Sequence, residues 1–193
     1  MTLRNNWQMF TATLDNETIQ NILKEAPPTQ VATTFNTKDF DVSQDDNVDQ
    51  MSSIRSSQVS WLSNNPWVKE MLYFYVDLAN QAAFNVNINN KAEIQYTEYH
   101  ASQGGHYDMH HDIDWNRNDG KDRKLSVTVQ LSDPSEYEGG AFEFSETQSP
   151  TPEASKPKGT VLVFPSYLQH KVNPITKGVR KSLVAWFEGP KWV

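Results

Sequence analysis

Leu125-Ser126-Val127-Thr128-Val129-Gln130-Leu131-Ser132 alternates apolar and polar side chains without a break. A period of two marks a strand with one buried face. Short runs of the same kind continue on the C-terminal side. Glu138-Gly139-Gly140 is a turn signal before Ala141–Phe144, and Thr160–Phe164 is a compact apolar run. In Arg180–Phe187 the alternation returns: Arg180, Ser182, Val184 and Trp186 share one face, Lys181, Leu183, Ala185 and Phe187 the other. Ser145–Lys158 carries Pro150, Pro152 and Pro157 and reads as a loop. This β-like character starts at about residue 92.

Before residue 92 the signals are helical. Asp15 is a good N-cap for a helix to about Glu25, with Ile19, Ile22 and Leu23 as its apolar stripe, and Pro27-Pro28 stops it. Asn65-Pro66 reads as an N-cap followed by Pro at the first helical position. The helix after it spaces Trp67, Met71, Phe74, Leu78 and Ala82 by three and four. Leu72, Tyr75 and Ala79 form a second apolar row, which predicts cover on more than one side. Between these helices, residues 36–53 hold Asp39, Asp41, Asp45, Asp46 and Asp49 with little periodicity and read as a polar loop, a candidate flap. Helices first and many short strands after them give an α+β domain, helices packed on a β-sandwich or open barrel.

The totals set bounds. At 193 residues the expectation is a single domain, 1–193. The 6 Trp, 7 Tyr and 9 Phe supply large pieces for its core. A formal charge of -7 argues against a nucleic-acid-binding surface. With no cysteine, disulfides, thiolate metal sites and cysteine nucleophiles are excluded, so metal ligation falls to His, Asp and Glu, a donor set suited to iron, manganese or zinc. Met1–Trp7 lack the basic start and apolar run of a secretory signal, and no stretch approaches the ~20 apolar residues of a membrane span. The expectation is a soluble, cytoplasmic protein.

All five histidines lie between positions 100 and 170. Gly104-Gly105-His106-Tyr107-Asp108-Met109-His110-His111-Asp112 contains two His-x-Asp pairs, His106-x-Asp108 and His110-x-Asp112. On a regular strand all four share a face, and spacing alone does not choose between the pairs. A third candidate ligand, His170, follows the apolar run that ends at Phe164-Pro165. Ten residues on, Arg180 stands in a mostly apolar strand, where a guanidinium needs an anion and is shaped for a carboxylate.

Four segments in order resemble the Fe(II)/2-oxoglutarate-dependent dioxygenases, prolyl 4-hydroxylase-like group. They are Leu14-Asp15-Asn16-Glu17 through Leu23, then Arg55-Ser56-Ser57-Gln58-Val59-Ser60-Trp61-Leu62, then Gly104–Asp112, then Phe164-Pro165 through His170 with Gly178-x-Arg180 and Trp186. The resemblance implies a double-stranded β-helix (jelly-roll) core over 92–189, with N-terminal helices packed on one sheet and 1–91 serving as helical support and flap. It puts iron on His110, Asp112 and His170, leaving His106 as an alternative ligand. It gives the distal carboxylate of 2-oxoglutarate to Arg180 and Ser182, with Tyr99 reaching the cosubstrate. Tyr107, Arg55, Trp61 and Trp115 become candidate substrate-pocket walls.

The implied reaction consumes O2 and 2-oxoglutarate, releases succinate and CO2, and hydroxylates an unactivated C–H bond, with a peptidyl proline as the leading substrate and ascorbate as an accessory cofactor. Free amino acids and other small molecules are the alternative substrates. Arg180 stands where animal and plant prolyl hydroxylases have lysine, which points to bacterial or viral members. Two readings from other classes compete: a zinc hydrolase, which would leave Arg180 and Ser182 unexplained, and a metal-free jelly-roll binding module.

Overall fold

The structure, a computed structural model, describes residues 5–32 and 53–193. Of the expected acidic loop 36–53, only Ser53 falls within them. The strands are β1 (Gln8–Phe10), β2 (Gln30–Val31), β3 (Arg55–Ser56), β4 (Gln58–Trp61), β5 (Ala92–His100), β6 (His106–His110), β7 (Lys121–Gln130), β8 (Tyr137–Gly139), β9 (Phe142–Phe144), β10 (Val161–Pro165), β11 (His170–Val172) and β12 (Ile175–Pro190). The helices are α1 (Asn16–Glu25), α2 (Pro66–Ala79) and the single turn α3 (Pro152–Ser155), inside the stretch expected to be loop throughout.

Two antiparallel sheets carry the fold. The larger runs β1-β10-β7-β12-β5-β4-β2, with β8 paired to the start of β12, and the smaller runs β3-β6-β11-β9. The alternation of Leu125–Leu131 decides what the larger sheet buries on each side. Leu125, Val127, Val129 and Leu131 pack with Leu183, Ala185 and Phe187 of β12, with Ile19 and Ile22 of α1, and with Val68, Leu72 and Val76 of α2. On the opposite face of the same sheet, Tyr99 of β5 and Phe164 of β10 meet Phe142, Phe144 and Val172 of the smaller sheet in a second apolar cluster. Burial of this kind contributes about 25 cal/mol per Å² of apolar surface, so both faces of the larger sheet are committed to packing.

The helix caps form as the sequence requires. Asp15 accepts from the backbone N–H of Thr18, and Asn65 accepts from that of Val68. The apolar faces of α2 need correction, however. Val68, Leu72, Val76 and Ala79 face the core, whereas Trp67, Phe74 and Leu78 are 37%, 58% and 40% exposed. The expected aromatic row is the outer one, because a single sheet can cover only one side of the helix and the compact aliphatic residues fill it. The helical run passes at Asn80 into a π-helical turn, Asn80–Phe84, which removes Ala82 from the expected stripe.

Candidate metal centre and cosubstrate pocket

Two strand irregularities aim the side chains of the site. On β6, His110 pairs with His170 and Tyr107 with Val172, so three steps on β6 match two on β11. The extra residue is a β-bulge, which breaks the period of two. Tyr107 and His110 therefore face the same side, their rings stacked 3.5 Å apart. The expectation that both His-x-Asp pairs share a face fails here for that reason. His106 lies on the other side of the bulge, its Nδ1 and Nε2 at 2.7 and 3.1 Å from the main-chain carbonyls of Gly104 and Ser53.

A second bulge sits on β7. Leu125 pairs with Phe187 and Arg123 with the adjacent Glu188, leaving Lys124 as the extra residue. Strict alternation from Leu125 would turn Arg123 toward the helices; the bulge turns it inward instead. Its guanidinium lies 4.0 Å over the Trp186 ring, ion-pairs with Glu93 and donates to the Asp112 carbonyl at 3.3 Å.

His110, Asp112 and His170 converge so that their donor atoms all lie within 4.8 Å of one another. His110 Nε2 is 3.7 Å from Asp112 Oδ1 and His170 Nε2 is 3.6 Å from Asp112 Oδ2, too far to bond each other well and near enough to share one ion. The imidazoles are already oriented. A carbonyl can only accept, so the contacts of His110 Nδ1 with Asp108 O (2.7 Å) and His170 Nδ1 with Leu168 O (2.9 Å) place a hydrogen on each Nδ1. In the neutral ring that leaves the Nε2 lone pair directed at the shared space.

Asp112, 4% exposed, is fixed just beyond β6 by its N–H to Ser166 O (2.9 Å), while Ser126 Oγ donates to its Oδ2 at 2.6 Å. Burial alone would raise its pKa, but the charges of His170 and His110 and the Ser126 hydroxyl hold it below the usual carboxylate range. Burial, then the charge of His170, brings His110 down to about 3. A neutral imidazole and an ionised carboxylate are the forms that ligate a divalent metal. Two nitrogens and one carboxylate oxygen suit iron, manganese or zinc, and the donor set fits such an ion.

The three donors open onto a cavity of about 370 Å³ between the sheets. Arg180, Ser182, Val184 and Trp186 all line it, as the alternation of β12 requires, and so do Tyr99, Tyr107, Arg55 and Trp61. Arg180 is only 6% exposed and makes no ion pair among the described residues. Its guanidinium lies 5.7 Å from the Tyr99 ring and bonds the Tyr137 hydroxyl, which also accepts from Gln130 Nε2 at 2.7 Å. A Cβ on Gly140 would come within 3.0 Å of the Arg180 Cδ, so the bare glycine leaves room for that stem. A buried guanidinium aimed into a cavity beside a metal-competent triad is a receptor for an anion.

Trp115 is a correction. It is 58% exposed and does not line the cavity, because the chain beyond Asp112 turns outward and its ring packs edge-on against His111. Trp61, 46% exposed, sits at the rim, 6.2 Å from Trp186. Arg123, Glu93 and Gln95 are lining residues that the sequence did not single out. For Glu93 and Gln95 the clue was the alternation of β5; for Arg123 no signal preceded the bulge.

Residues 94–188 match the family model of the 2OG-Fe(II) oxygenase superfamily. A PKHD-type hydroxylase of Prochlorococcus marinus is 38% identical over 88 residues, covering 46% of this chain and 38% of that protein. One of Aliarcobacter butzleri is 35% identical over 89 residues, covering 44% and 39%. The matches thus span less than half the length of these curated relatives. Among solved structures, the viral collagen prolyl hydroxylase of Paramecium Bursaria Chlorella virus-1 aligns over 96% of this chain and 97% of its own, with TM-score 0.61 and 17% identity. A Pseudomonas putida prolyl-4-hydroxylase aligns over 94% and 91%, with TM-score 0.61 and 18% identity. The family match begins on β5, takes in all three donors and ends on β12, so over residues 94–188 this chain is similar to the 2OG-Fe(II) oxygenase superfamily, within a fold shared end to end with prolyl hydroxylases.

Proposed function

We propose that this protein is an Fe(II)- and 2-oxoglutarate-dependent dioxygenase that hydroxylates an unactivated C–H bond in the manner of the prolyl 4-hydroxylases. The observation that carries this reading is one cavity holding both a two-histidine, one-carboxylate cluster and a buried, carboxylate-free arginine. Iron would be held by His110 Nε2, Asp112 and His170 Nε2. Bound there, it supplies the site at which O2 and the keto acid react, with succinate and CO2 as by-products of the hydroxylation.

The chain's own groups do the rest. Arg180, braced by Tyr137, binds the distal carboxylate of 2-oxoglutarate, with Ser182 and Tyr99 on its flanks. Phe142, Phe164 and Val172 shield the donors from water, which strengthens each charge contact within. Tyr107, stacked on His110, and Trp186, under Arg123, wall the side that substrate must use. The two sheets are read as the halves of a jelly-roll core over 92–189, with 1–91 as its support. Peptidyl proline is the proposed substrate, in keeping with the names of the prolyl hydroxylase neighbours and with the one from Trichoplax adhaerens solved with a peptide fragment.

Anaerobic titration tests the reading. Fe(II) and 2-oxoglutarate added together should give a weak visible charge-transfer band that neither gives alone. A zinc hydrolase or a metal-free module would give none, and absence of the band sinks the proposal.

A further inference from the structure

The cavity is lined by three guanidiniums, from Arg55, Arg123 and Arg180, and by the carboxylates of Glu93 and Asp112. On the functional reading above, on which this inference rests, nearly every charge finds its counterpart. Arg123 is paired with Glu93. Arg180 takes the distal carboxylate of the cosubstrate, and the two charges of the metal are met by Asp112 and the keto-acid carboxylate. Arg55 is left over.

Its surroundings hold it without neutralising it. Nε donates to Ser57 Oγ and Nη2 to Gln95 Oε1, both at 2.8 Å and both to uncharged groups. Among the described residues it forms no ion pair. The guanidinium carbon lies 4.5 Å over the Tyr107 ring, which stacks at 3.5 Å on the ligand-bearing ring of His110. Arg55 is therefore a half-buried cation two ring contacts from the metal centre. Its Nη1 hydrogens are not used by any described residue. A half-buried guanidinium with no carboxylate partner among the described residues attracts an anion, and its fork is shaped for a carboxylate.

We propose that Arg55 reads a carboxylate carried by the substrate, so that the substrate class is anionic near the carbon to be hydroxylated. The carboxylate comes either from a free α-carboxyl group or from an acidic side chain beside the target residue. A neutral main-chain amide could use the same hydrogen bonds but would leave the charge unmatched.

The test is equilibrium binding to the full chain loaded with manganese(II) and 2-oxoglutarate under argon, so that nothing turns over. Calorimetry compares two matched pairs: N-acetyl-L-proline against its amide, and N-acetyl-Pro-Glu-amide against N-acetyl-Pro-Gln-amide. At least one acid should bind about 10- to 150-fold more tightly than its neutral partner. The pair that discriminates names the source. Arg55→Gln should erase that preference, and Arg55→Lys should keep part of it.

Equal binding within both pairs, no binding by either acid, or a preference that survives Arg55→Gln would each overturn the proposal. The wild-type comparison stands even if a variant folds poorly. A missing Fe(II)–2-oxoglutarate band would instead indict the functional reading. A normal band without acid preference indicts only Arg55.

Discussion

Ser126 shows how much of the centre depends on groups that touch no metal. Its hydroxyl donates 2.6 Å to Asp112 Oδ2 and lies 2.9 Å from the hydroxyl of Ser166, whose carbonyl holds the Asp112 N–H. Ser126→Ala removes a hydrogen bond that favours the ionised carboxylate and frees its rotation. Metal affinity should fall about 10- to 100-fold, read by competition with a chelating dye. Unchanged affinity would mean that Ser166 and Arg123 suffice to orient Asp112. At this scale residue type and separation made His170, Arg180 and the two His-x-Asp pairs legible, and the family resemblance chose His110 and Asp112 between those pairs. Ser126 did not, since a serine on the polar side of a strand is unremarkable until the fold places a carboxylate above it.

The elements explain what spacing hides. Period-two reading held through β12, where Arg180, Ser182, Val184 and Trp186 all reach the cavity, because that stretch is regular between β5 and β7. It failed on β6 and would not extend to the start of β7, each of which has one extra residue. Deleting Lys124 should restore alternation in β7 and turn Arg123 toward the helix layer. Glu93 would lose its partner and a guanidinium would enter an apolar environment. Parting the buried charge of Arg123, whose side chain is 6% exposed, from Glu93 typically costs about 3–5 kcal/mol, and urea unfolding should show a loss of that order. A loss under about 1 kcal/mol would show that the bulge simply migrates along the strand. The α2 misreading has a different origin, since Trp67 and Phe74 are hydrophobic enough to look internal yet lie outside the one face the sheet covers.

For the whole molecule, the donor cluster links stability to pH. In the metal-free protein His110 titrates at about 3 when folded, against an ordinary 6.5. The unfolded chain therefore binds the extra proton between these values. Stability is fully present above about pH 6.5 and declines on acidification, by up to about 1.4 kcal/mol per pH unit for this one group. Asp112, lowered in the fold, adds its own loss only below its ordinary value of 3.8. Urea midpoints measured from pH 7 to pH 4.5 should fall, and His110→Asn should flatten the slope; equal slopes in both proteins would remove His110 as the cause. The two bulges carry a last consequence. Which side chains meet in the cavity depends on strand phase as well as on their identity. A homologue could keep every one of these amino acids, lose a single position from β6 or β7, and present a different inner wall.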